Sequence, residues 1–233
     1  MPQSNQKVVL FELFGERALW QLPSEALARW SAALPAPSAL AGILGAALGF
    51  RQSGRPAKSG GWETSQDWLS WIETACPEVA VALVTPVKRQ SMNTNGLKTP
   101  AELPASSGGT STLRILQTFL EEPHYKVAVR LDKGESELIS ALKNPKFPIY
   151  LGNTHCCGKI LNPRVVLAGD SSAETHAPWA LWSASLPDAE YNWCSRLDIG
   201  GSQRLKNDGY IHLPPDSTAG SLEEKHWLKT WAE

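Results

Sequence analysis

The stretch Pro35-Ala36-Pro37-Ser38-Ala39-Leu40-Ala41-Gly42-Ile43-Leu44-Gly45-Ala46-Ala47-Leu48-Gly49-Phe50 constrains the fold more than any other part of the chain. Two prolines bring it in extended, since each fixes its own φ and disfavours helix in the residue before it. Ser38 is then the expected N-cap and Gly49 the expected stop. Between them the residues are small or apolar and carry no charge, which predicts a buried helix packed on a sheet. Gly42, Gly45 and Gly49 recur at spacings of three and four and so share one side. A glycine inside a helix costs about 1 kcal/mol relative to alanine. Three of them predict close approach by a strand or by a ligand backbone. The helix start also offers unpaired N–H groups to an anion such as phosphate.

The chain has 233 residues, enough for one large domain or for a domain with an elaborated insertion. Ten Trp make the expected core heavy in large rings. No apolar run reaches the length of a membrane span, and the polar start MPQSNQK does not read as a signal peptide, so a cytoplasmic protein without membrane contact is expected. The four cysteines, Cys76, Cys156, Cys157 and Cys194, show no C-x-x-C spacing. Reduced structural thiols are the default, and a metal site drawing on His155 and His176 is the weaker reading. No metal or cofactor is expected. The net charge of −1 argues against a free-standing nucleic-acid binder, but not against a subunit that holds RNA among protein partners. Charge is local here: residues 84–114 carry Lys88, Arg89, Lys98 and Arg114 against the single acid Glu102.

Residues 7–14 (KVVLFELF) read as a strand. Residues 67–74 (DWLSWIET) have helical spacing, and residues 79–87 (VAVALVTPV) read as a second strand. Residues 91–111 are polar and read as a long loop. In residues 124–131 (HYKVAVRL) Tyr125, Val127, Val129 and Leu131 alternate with His124, Lys126 and Arg130, as in a half-buried antiparallel strand. Residues 135–143 (ESELISALK) form an amphipathic helix, and residues 145–152 (PKFPIYLG) are expected to return as a strand. The order is strand, helix, strand, strand, helix, strand, the split βαβ or ferredoxin-like pattern of an α+β protein. Beyond Pro163 the signals weaken. A strand over 209–213 and a terminal helix over 222–231 are expected there.

Four stretches in this order resemble the CRISPR-associated Cas-five family of the RAMP superfamily, whose members cap the 5′ end of the guide RNA in type I Cascade complexes. They are KVVLFELFG at 7–15, PAPSALAGILGAALGF at 35–50, LRILQTFLEEPHYKV at 113–127 and LKNPKFPIYLGN at 142–153. The resemblance implies a ferredoxin-like (RRM-like) domain over 1–160, with a thumb-like insertion at about 87–112. A smaller β-rich part with a terminal helix would follow over 161–233. It also implies crRNA and the Cascade backbone and large subunits as partners, with target DNA reached only through the complex.

The RNA-binding candidates are Ser38, Gly42, Lys88, Arg89, Asn93, Asn95, Lys98, Arg114 and Gln117. Cations neutralise phosphates, while Asn and Gln hydrogen-bond bases. A solvated loop is the alternative for residues 87–112, and an ordinary salt bridge is the alternative for the Arg114 and Gln117 pair. Tyr125 and Tyr150 could stack bases, but core packing is the favoured reading of both. One branch of the family cleaves precursor guide RNA without metal, using Tyr, Lys and His. His124-Tyr125-Lys126 gathers those residue types, yet on a strand Tyr125 points away from the other two. His155 is a second candidate base. No catalytic residue is assigned. A metal-independent endoribonuclease is the alternative, and a protein-interaction module without RNA is the second alternative.

Overall fold

The computed structural model describes residues 7–21, 28–50, 66–97, 112–167, 177–183, 191–198, 205–213 and 222–232. Strand β1 (Lys7–Gly15) is followed by three short strands, β2 (Arg17–Ala18), β3 (Trp20–Gln21) and β4 (Ala28–Ala32). Helices α1 (Pro37–Leu48) and α2 (Gln66–Ala75) lead to β5 (Glu78–Leu83). Strands β6 (Lys88–Leu97) and β7 (Thr112–Glu121) pair with each other, and β8 (His124–Arg130), α3 (Glu135–Lys143) and β9 (Gly158–Leu167) follow. The chain ends in β10 (Leu181–Ser183), β11 (Tyr191–Asp198), β12 (Leu205–His212), a 3₁₀ turn at Glu224–His226, β13 (Leu228–Lys229) and β14 (Trp231–Ala232). The class is α+β, as expected.

The central sheet has the order β13-β5-β8-β1-β9, and every pairing in it is antiparallel. Strand β1 lies between β8 and β9 and is buried along almost its whole length, which its run of apolar residues permits. One face of the sheet carries Val9, Phe11, Leu13, Val79, Val81, Tyr125, Val127 and Val129 into the main core. Leu40, Leu44, Leu138 and Leu142 of α1 and α3 belong to the same core. Each such side chain, fully buried, contributes roughly 1.5–3 kcal/mol. The opposite face gathers Val8, Leu10, Ala80, Ala82, Ala128 and Val166 under Ala177 and Trp179. The segment is held to the edge of β5 by an antiparallel bridge between Trp179 and Ala82, in which the Ala180 N–H donates to Val81 O at 2.8 Å. A second sheet has the order β10-β12-β11-β14, and a third has the order β2-β7-β4-β3 with β6 paired to β7.

Four local expectations are corrected. Helix α1 begins at Pro37 behind an extended Ala36 that makes no side-chain cap, so Ser38 lies in the first turn and is not the N-cap. The fixed φ and missing N–H of Pro37 suit the first helical position. Gly49 does end the helix, at φ +88°, and the Phe50 N–H closes the turn on Gly45 O at 2.9 Å. Residues 145–152 are not a strand: only Tyr150 bridges, to Cys157, and the returning strand is β9. Two prolines in that segment remove donors that a ladder needs. The first part of the expected polar loop is strand β6. The expected terminal helix is replaced by the 3₁₀ turn and two short strands, because β13 completes the edge of β5 and β14 pairs with β11. Among the described residues, no helix is long and apolar enough to cross a membrane.

Candidate nucleic-acid interface

The site is built on the β6–β7 hairpin. Its register sets Arg89 opposite Leu120, Ser91 opposite Thr118, Asn93 opposite Leu116 and Asn95 opposite Arg114. Directly opposed residues share a face, and alternate residues of one strand do too. Arg89, Asn93, Asn95 and Arg114 therefore lie on one face of the hairpin, and all four are exposed. The Ser91 and Thr118 hydroxyls join across that face at 3.0 Å. The result is a ribbon with Arg89 toward one end, Asn93 in the middle and Asn95 beside Arg114 at the other end, a pattern that can hold phosphates and base edges together.

The remaining candidates divide. Lys88 is exposed but projects from the opposite face, where the register sets Glu121 across from it. Gln117 also belongs to that face and is 5 % exposed. The expected Arg114 and Gln117 pair is thus broken by their odd separation along the strand, and Gln117 is removed from the candidate surface. Ser38 is half-buried and Gly42 exposed, both on α1 and not on the hairpin. A Cβ on Gly42 would meet nothing within 4 Å among the described residues, so no described strand packs there. Gly45 instead seats the Trp68 ring, 3.5 Å from where its Cβ would be. Lys98 lies outside the described residues, as do residues 99–111 of the expected thumb-like insertion and His176.

The two tyrosines part company. Tyr125 is buried, donates its hydroxyl to Ala33 O at 2.7 Å and accepts the Trp20 indole N–H at 2.8 Å. Tyr150 is 39 % exposed, against the expectation of core packing. Sequence reasoning missed Trp30, which β4 presents 49 % exposed in the row of Thr118 and Ser91. Its local sequence, ARWSA, carries no alternation strong enough to assign it a face.

His124 stands half-buried on the face of the central sheet opposite the main core. Its Nε2 meets Glu12 Oε2 at 2.9 Å, and its ring packs edge-on against Phe14. Asn162 Nδ2 donates to the other Glu12 oxygen at 3.2 Å. Burial pushes the Glu12 carboxyl up, but the bonds from Asn162 and His124 and the nearby charges of His124 and Arg164 outweigh it and hold the group below its ordinary value. His155 is exposed in the turn after Tyr150, where its backbone N–H donates to Asn153 Oδ1 at 3.0 Å. Among the described residues no three of His, Cys, Asp and Glu converge as metal ligands would. Cys156 is buried and its thiol is pushed up to about 11 by that burial.

A family profile described as "CRISPR-associated protein (Cas_Cas5)" matches residues 8–216. The chain belongs to this family. No curated protein sequence matches it. Among solved structures, it is similar to a chain of a "CRISPR RNA-guided surveillance complex", with 16 % identity, a TM-score of 0.60, and coverage of 94 % of this chain and 95 % of that one. That likeness is one of fold. Another chain, titled "Crystal Structure of CRISPR-associated Protein", matches at 12 % identity and a TM-score of 0.42, over 90 % of this chain and 94 % of that one. As a member of that family the chain is a CRISPR-associated protein.

Proposed function

We propose that this Cas_Cas5 protein binds and caps the 5′ handle of the guide RNA in a type I Cascade complex, among backbone and large subunits, and reaches target DNA only through that assembly. The observation that carries this reading is the shared exposed face of Arg89, Asn93, Asn95 and Arg114. The cations supply a salt-dependent hold on phosphates, and the amides supply the part that can tell bases apart. The test is reconstitution with backbone subunits and guide RNA. Changing Arg89, Asn93, Asn95 and Arg114 together to Ala should release the guide RNA 5′ end at physiological salt and flatten the salt dependence of retention. Unchanged retention across a salt series would reject the assignment.

We further propose that the chain does not cut RNA. Cleavage without metal needs a base at the 2′-hydroxyl and a cation at the phosphate. Here the compact His-Tyr-Lys run is divided by the sheet, Tyr125 is spent on Ala33 and Trp20, and His124 is engaged by Glu12. Purified protein incubated with precursor repeat RNA in EDTA should leave it intact. Site-specific cleavage that disappears in His124→Ala or His155→Ala would establish the endoribonuclease alternative instead.

A further inference from the structure

We infer that Trp30 is a base-stacking platform on the RNA face of the hairpin, an inference that rests on the RNA-binding reading above. Strand β4 pairs in parallel with β7, setting Ala28 beside Leu116, Arg29 beside Gln117 and Trp30 beside Thr118. Across β7, Thr118 faces Ser91. Trp30, Thr118 and Ser91 thus form one row, and that row belongs to the face that carries Arg89, Asn93, Asn95 and Arg114. Strands lie about 4.8 Å apart and alternate residues about 7 Å apart along a strand. On that spacing the indole stands roughly 10 Å from β6, within a few residue steps of both amides and both guanidinium groups.

The Trp30 indole is 49 % exposed and offers a large, rigid π-face to whatever lies over it. The chemistry around it selects the occupant. The middle of the row is Thr118, only 3 % exposed and tied to Ser91, so the floor beside the ring is short and already satisfied. The long exposed groups around it are cationic or amide. A flat apolar ring bordered by cations and amides matches a single-stranded nucleotide, whose base has a π-face and whose phosphate is anionic. It matches an apolar protein partner poorly, because Arg89 and Arg114 would be desolvated at its rim. In the proposed arrangement the indole stacks one unpaired base, Asn93 or Asn95 reaches a base edge, and Arg114 and Arg89 hold the flanking phosphates.

The test uses the full-length chain and short fluorescein-labelled single-stranded oligoadenylate and oligouridylate, read by anisotropy across a salt series. The stacking variant is Trp30→Leu, which keeps an apolar side chain without a ring, and Trp30→Phe keeps a ring. Trp30→Leu should weaken binding by about 5- to 150-fold, and Trp30→Phe by much less. Because stacking releases no counterions, Trp30→Leu should keep the parent's salt slope, whereas Arg114→Ala should lower that slope by about one phosphate contact. Parent protein that binds neither oligonucleotide, and also fails to retain guide RNA in the complex, would overturn the RNA reading as a whole. Parent protein that binds while Trp30→Leu and Trp30→Phe bind alike would overturn the stacking role alone. A Trp30→Leu protein that holds RNA normally but no longer joins the backbone subunits would make Trp30 a protein contact and overturn the inference.

Discussion

Tyr125 shows what one hydroxyl does inside this core. It has no exposure, it donates to Ala33 O and it accepts from Trp20, so one oxygen satisfies two other buried groups. Burial pushes its pKa far above the ordinary tyrosine value, against the smaller opposing effects of the Trp20 bond and the Arg89 charge, so it stays protonated and keeps donating. Tyr125→Phe would leave the Trp20 indole N–H and the Ala33 carbonyl without this partner. Leaving buried polar groups unpaired costs about 1–3 kcal/mol each. The expected outcome is an unfolding free energy lowered by that order, read as a lower urea midpoint at an unchanged m value. A midpoint equal to the parent's would show that the two groups find other partners.

At the scale of elements, α1 separates two kinds of glycine. Gly42 is exposed with open space where a Cβ would go, so Gly42→Ala should gain about 0.5–1 kcal/mol of stability in chemical denaturation from helix propensity alone. A loss of stability in that variant would mean the site is not open. At Gly45 a Cβ would already touch the Trp68 ring, which stacks on Trp71 with centroids 5.3 Å apart. Gly45→Leu should therefore destabilise by about 1–3 kcal/mol through overpacking. The glycine spacing was legible in the sequence, but not which glycine faced what, because spacing fixes a side of the helix and not its neighbour. Strand β8 was legible because Tyr125, Val127 and Val129 alternate with His124, Lys126 and Arg130, although Ala128 on the second face is buried as well. Strand β6 was not, because its Asn, Ser, Gln and Thr have loop composition and become strand only through the ladder with β7. Gln117 was misjudged for the same reason: its polarity suggests a surface, while its register puts it inside. The apolar spacing of residues 222–231 mimicked a helix, yet two sheet edges compete for that backbone and win.

Across the whole molecule, that C-terminal segment ties the central sheet to the β10-β12-β11-β14 sheet. Arg130 of the central sheet bonds Glu224 through both terminal nitrogens at 2.7 and 2.9 Å and Glu78 through Nε at 2.6 Å, and its guanidinium sits 4.8 Å over the Trp227 ring. The 3₁₀ turn between these contacts and β13 is closed by His226, whose Nδ1 accepts the Glu223 N–H at 2.9 Å. Accepting that bond requires an unprotonated Nδ1. Burial lowers the His226 pKa below 6.5 and the Lys225 charge lowers it further, against smaller opposing effects of Glu223. A group with a depressed folded pKa contributes stability that is complete above its unfolded value and is lost as pH falls through the folded one. Stability should thus be level above about pH 6.5 and decline as the pH drops below it. Glu12 and Glu224 are also held low, Glu224 chiefly by its bond from Arg130, but their contributions fade only below the ordinary carboxylate value of 4.5, so the window between belongs to histidine. His226→Gln isolates the effect, since a Gln carbonyl can accept the same N–H and does not titrate. Urea denaturation between pH 8 and about pH 5 should show a shallower decline in that variant than in the parent. Parallel curves for the two proteins would place the acid sensitivity elsewhere and leave the turn a pH-independent strap.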